Sequence, residues 1–154
     1  MKTKSILLSC LLLATALTSC GLGPVRITGT RAELFIHDEE KGYIAMEPEY
    51  TKIDKKEVAY YKVQLSFEKQ YLMKIYPTWK GSRMPKFVGD VATFEKSDYW
   101  TISYNEDSES DPEYYIDFNY PPDLYEPALH VATFQVDDFE GKIYFELRAY
   151  SVPA

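Results

Sequence analysis

Ala59-Tyr60-Tyr61-Lys62-Val63-Gln64-Leu65-Ser66-Phe67 decides the fold: Ala59, Tyr61, Val63, Leu65 and Phe67 fall on one face, and Tyr60, Lys62, Gln64 and Ser66 on the other. A period of two belongs to a strand with one face buried and one in water. Working outward, similar runs stand at 25–28, 32–37, 43–46, 71–76, 87–94, 99–104, 114–120, 129–136 and 143–150, with turn residues between them. Fourteen tyrosines, eight phenylalanines and two tryptophans supply bulk that packs well on a pleated surface. Roughly eight to ten short strands without a long helical segment predict an all-β chain, folded as an antiparallel β-sandwich.

A rival reading exists beside the deciding stretch. Asp54-Lys55-Lys56-Glu57 has the pattern of an N-terminal capping box, and Val58, Tyr61, Leu65, Leu72 and Ile75 can be laid on one helical face. The strict alternation and the aromatic content outweigh a cap built from common surface charges. Near the C-terminus, Asp137-Asp138-Phe139-Glu140-Gly141-Lys142 separates two strands, with Glu140-Gly141 as the expected turn. This segment faintly resembles the tyrosine corner of immunoglobulin-like domains, although Tyr144 stands three residues after Gly141 rather than two and no cysteine partner is present. The resemblance points the sandwich toward an immunoglobulin-like one. Val-Ala-Thr-Phe occurs at 91–94 and again at 131–134, but the residues after the two copies do not align, so the word reads as an echo rather than a repeat.

The chain begins Met1-Lys2-Thr3-Lys4, and the apolar run from Ile6 to Leu17 comes next. These are the basic and hydrophobic regions of a secretion signal. As a helix the run spans roughly 18 Å against roughly 30 Å of hydrocarbon, too short to remain as a span. It ends in Leu17-Thr18-Ser19-Cys20-Gly21, which resembles the lipobox of bacterial lipoproteins. The resemblance covers only the first twenty residues. It implies cleavage before Cys20, a diacylglyceryl group on its sulfur and an acylated amino group. Cys10 also comes after a small residue, but cleavage there would leave an apolar stretch of only about four residues. The expected organisation is therefore a signal peptide at 1–19, a lipidated N-terminus and short tether at 20–24, and one domain at 25–154.

Each buried methylene contributes about 0.8 kcal/mol, so two or three acyl chains hold a protein on a bilayer without crossing it. Gly21 stands where enterobacterial lipoproteins retained in the inner membrane carry aspartate, so the resemblance implies the outer membrane. No acidic run comes after the cysteine, and a domain facing the periplasm is expected. The tether of about five residues, at up to about 3.6 Å each, keeps the domain within roughly 20 Å of the bilayer.

Loss of the leader removes Lys2 and Lys4 but no acid, taking the formal charge from −7 to −9. Such a balance argues against nucleic acid or anionic headgroups held by bulk electrostatics, and leaves a basic partner open. With Cys20 lipidated, no cysteine remains for a disulfide, so packing must hold the fold.

Catalytic signatures are missing from the sequence. Nucleophilic chemistry needs an imidazole beside a hydroxyl, and only His37 and His130 are available, both in expected strands; they also fall short of a zinc ligand set. The abundant carboxylates have no distinguishing pair for glycoside hydrolysis. Asp107, Glu109 and Asp111 offer hard oxygen ligands for calcium but lack the glycine turn and distal glutamate of a calcium loop; a solvated acidic loop is the expectation, with no cofactor.

Two aromatic segments are the candidate binding surfaces. The first, 77–86, is the only basic cluster and reads as a loop carrying Trp79, Lys80 and Arg83; the composition is that of interface hot spots, the alternative being Trp79 folded back as a lid on the core. The second joins Tyr114-Tyr115 to 120–127, is stiffened by prolines and is expected to be a rigid loop presenting tyrosines, Tyr120 and Tyr125 among them. The expected function is a lipid-anchored, non-catalytic module that binds an envelope protein. The alternative is a carbohydrate-binding lipoprotein using Trp79, Trp100 or exposed tyrosines.

Overall fold

The computed structural model describes residues 26–66, 68–81, 87, 89–121, 124 and 126–149. Cys20 and the leader, Arg83 and Tyr125 lie outside them. The described residues form ten strands: β1 (Arg26–Asp38), β2 (Gly42–Ala45), β3 (Glu49–Ile53), β4 (Lys56–Gln64), β5 (Tyr71–Lys80), β6 (Ala92–Phe94), β7 (Trp100–Tyr104), β8 (Glu113–Phe118), β9 (Ala128–Val136) and β10 (Phe139–Arg148). They make two five-stranded sheets, ordered β2-β1-β5-β8-β7 and β3-β4-β10-β9-β6. The all-β sandwich expected from the alternation is what the chain adopts. Every pairing is antiparallel except β4–β10, which is parallel and makes the second sheet mixed.

The deciding stretch behaves as its pattern requires. Tyr61 and Val63 are buried, and they stand opposite Phe145 and Leu147 of β10, also buried. Against them the other sheet brings Leu34, Tyr71, Met73, Ile75, Tyr114 and Ile116. Since each fully buried side chain of this size contributes about 1.5–3 kcal/mol, this double layer can hold the fold without a disulfide.

Several local expectations are corrected. The described part of the run at 25–28 and the run at 32–37 are one strand, β1, with a register shift between Ile27 and Gly29 instead of a break. The 87–94 run is strand only from Ala92, and Glu49–Ile53 is a strand the alternation did not single out. Asp54 and Lys55 cap no helix: they are the two-residue loop of the β3–β4 hairpin, with φ of 49° and 67°. Two successive left-handed residues suit a turn whose twist matches its strands. The last hairpin turns at Asp137-Asp138, and Glu140 and Gly141 lie within β10.

The segment 77–86 is likewise not a loop throughout, because β5 continues to Lys80. Pro77 sits inside it, opposite Thr30. Ile75 donates its N–H to the Pro112 carbonyl on the β8 side, and alternation aims the Pro77 nitrogen the same way. There β8 has already ended, since it pairs with β5 only over Tyr71–Lys74. No ladder bond is lost, which is the condition under which a strand tolerates proline.

Candidate binding groove

One end of the sandwich is closed by aromatic rings. Trp100 of β7 meets Phe145 of β10 edge-on at 5.5 Å between centroids, and Phe118 meets Phe145 at 5.2 Å and Tyr71 at 5.3 Å. His130, on the core-facing side of β9, lies against Tyr99 with centroids 4.0 Å apart. Beside this stack runs a groove of about 310 Å³, walled by Glu95, Ser97 and Tyr99 on one side and by His130, Val131 and Thr133 of β9 on the other. Trp100 lines it too, is only 6% exposed, and its indole N–H has no acceptor among the described residues.

Among the described residues, the wall made by β9 is an open sheet edge. β9 pairs with β10 over its whole length but with β6 only at Phe134–Val136. Glu95 donates its N–H to the Thr133 carbonyl at 3.1 Å, which sets the main-chain groups of Thr133 toward β6. Alternation puts those of Val131 and Leu129 on the same side, past the end of β6, where no described residue pairs with them. Their side chains are 43% and 38% exposed on the outer face. Sheet edges are usually blunted by lysine, proline or a bulge; Ala128-Leu129-His130-Val131-Ala132 carries none of these.

The groove brings a hydroxyl, a carboxylate and an imidazole into one lining. Ser97 and Glu95 share it with His130, yet the Ser97 hydroxyl is committed to the main chain, accepting the Tyr99 N–H at 3.1 Å. His37 is exposed on β1 and rests edge-on against Tyr43. In the acidic loop, Asp107 N–H bonds the Asn105 side chain and the Ser108 hydroxyl bonds the Asp111 carbonyl. Among the described residues no three metal-ligating side chains gather, around Asp107, Glu109 and Asp111 or elsewhere.

The sequence candidates are scattered. Trp79 is half-buried on the core-facing side of β5, opposite Ile27, and Lys80 is exposed opposite Arg26. Tyr120 is 54% exposed just past β8, where Asn119 N–H bonds the Tyr99 carbonyl, so it belongs to the groove end. Trp79 is eight residues along β5 from Tyr71, and Tyr71 pairs with Ile116, two residues short of Phe118, the partner of Trp100. Ten residues at about 3.3 Å put Trp79 and Trp100 roughly 33 Å apart along the strands. Sequence reasoning missed Leu129 and Val131: exposed apolar residues alternating with inward ones were visible, but the missing neighbour was not. Among the described residues no helix is long and apolar enough to cross a membrane. Compared with family models, curated proteins and solved structures, the chain matches none of them.

Proposed function

We propose that this chain is a lipid-anchored, non-catalytic binding module of the bacterial envelope, held through Cys20 in the outer membrane and facing the periplasm, that docks a partner protein in the groove. The basic start, short apolar run and Leu17-Thr18-Ser19-Cys20 support the anchor. The open edge of β9 is the observation that carries the binding role. Unpaired N–H and C=O groups spaced along an edge are best met by an extended peptide, which adds as a strand and sets its alternate side chains against the groove wall. Because Arg26 begins β1 opposite Lys80, the chain enters at the far end of the sheet from Trp100, which leaves the groove facing away from the anchor.

The test is a photo-crosslinker at Leu129 in intact cells, with and without Val131→Pro. The Val131 nitrogen points away from β10, so proline there spares the β9–β10 ladder and blocks strand addition. Capture of a discrete envelope protein, reduced about tenfold or more by the proline, is expected; an interface losing about 1.4 kcal/mol or more falls by that factor. No capture, or capture indifferent to the proline, contradicts the proposal.

A further inference from the structure

At the chain-entry end, Arg26 and Lys80 face each other as the terminal pair of β1 and β5. Both are exposed. Among the described residues neither belongs to an ion pair, although five other cations in this acidic chain do: Arg31 with Glu33, Lys62 with Glu49, Lys74 with Glu113, Lys142 with Glu140 and Arg148 with Glu146. Like charges directly opposite in a ladder repel. The next pair inward is Ile27 with Trp79, both half-buried. Two like cations at a tip, backed by an indole and an aliphatic side chain, form the sequence of chemistries found where a protein meets a headgroup layer: cations on phosphate, tryptophan at the interface.

We infer that this tip seats the domain on an anionic phospholipid surface, a reading that rests on the lipid anchor at Cys20. Only residues 21–25 separate Cys20 from Arg26, so at about 3.6 Å per residue Arg26 stays within roughly 22 Å of the acylated cysteine. The net charge of the domain opposes such contact, and carboxylates stand behind the tip: Asp111 of the 105–112 loop acts on Tyr76 of β5, and the Asp137-Asp138 turn closes the other sheet. The loop at 105–112 is fixed by Ile75 N–H to Pro112 C=O, five residues from Lys80 and roughly 16 Å along the strand. Headgroups in contact with the tip meet the two cations first, and carboxylates further back act on them through a Debye length of about 8 Å at physiological salt. The anchor holds the protein at the surface, and the tip orients it, with the groove outward.

The test uses the native acylated protein in vesicles of phosphatidylethanolamine with brominated phosphatidylglycerol, reading tryptophan quenching. Trp79 should be quenched, Trp79→Phe should abolish the quenching because Trp100 is buried at the far end, and Arg26→Glu with Lys80→Glu should remove roughly half of it or more, as should high salt. An acylated protein that partitions into the vesicles with Trp79 unquenched, or with quenching unchanged by the charge reversal, overturns the seat and leaves the anchor standing. A protein with no acyl group on Cys20 overturns both.

Discussion

The Phe134 ring lies over the α-carbon of Gly141, its direct cross-strand partner in the β9–β10 pair. A Cβ added at Gly141 would overlap three atoms of that ring. This is a packing glycine and not a turn glycine, buried within a strand. Phe134 is 1% exposed and borders Phe94, so it has nowhere to move. Gly141→Ala should therefore destabilise the domain by about 1–3 kcal/mol through overpacking, even though alanine is the better strand residue. Urea denaturation checks this; unchanged stability would mean that the ring can yield.

Tyr114 ties the two sheets together. From β8 its hydroxyl accepts the N–H groups of Val91 and Ala92 at 3.3 and 3.0 Å, where β6 begins, and donates to Asp90 at 3.0 Å. Tyr114→Phe keeps the ring and leaves a buried N–H without an acceptor. A loss of about 1–3 kcal/mol is expected, the cost of one buried unsatisfied group. Hydrogen exchange at Ala92 should accelerate with it.

Burial governs the alkaline limit. It raises Tyr71 and Tyr76 to about 12, and Tyr114 well above its ordinary value of 10.0. In each case desolvation comes first. Glu33 adds to it at Tyr76, and the Asp90 carboxylate at Tyr114, where the Ala92 N–H opposes it. A phenol whose folded pKa lies above its unfolded one stays protonated longer in the folded state, so the unfolded chain releases protons first. Stability from these groups is whole below about pH 10 and is lost as pH rises toward about 12. Phenolate absorbance recorded beside circular dichroism should show these tyrosines ionising together with unfolding. Titration of all fourteen near pH 10 in the folded protein would refute it.

Lys55 occupies the left-handed region at φ 67°, where a side chain has a steric cost. Lys55→Gly should stabilise the β3–β4 hairpin by about 0.5–1 kcal/mol, readable as a raised thermal midpoint.

These residues also show how much was legible in advance. The alternation at 59–67 announced a half-buried strand because side-chain period depends only on local backbone geometry, and the same held for most of β5, β7, β8 and β9. Gly141 and Lys55 were misread for one reason: a glycine marks a turn or a close approach, and acidic-basic residues mark a cap or a hairpin, and only the cross-strand partner decides. Pro77 suggested a loop because the early end of β8 was invisible. The groove was hidden more deeply, since it exists through the shortness of β6 beside β9, a relation between segments about forty residues apart. Composition singled out Tyr120 and Trp79 alike but could not say where the fold puts them: Tyr120 follows β8 near the Tyr99 end, and Trp79 lies at the opposite one.

Intact mass spectrometry of the protein purified from native membranes is the most direct test of the account. It should find a chain beginning at Cys20 and carrying diacylglyceryl and N-acyl groups. A free thiol at Cys20, or a leader still joined to it, would contradict the anchored, two-ended arrangement.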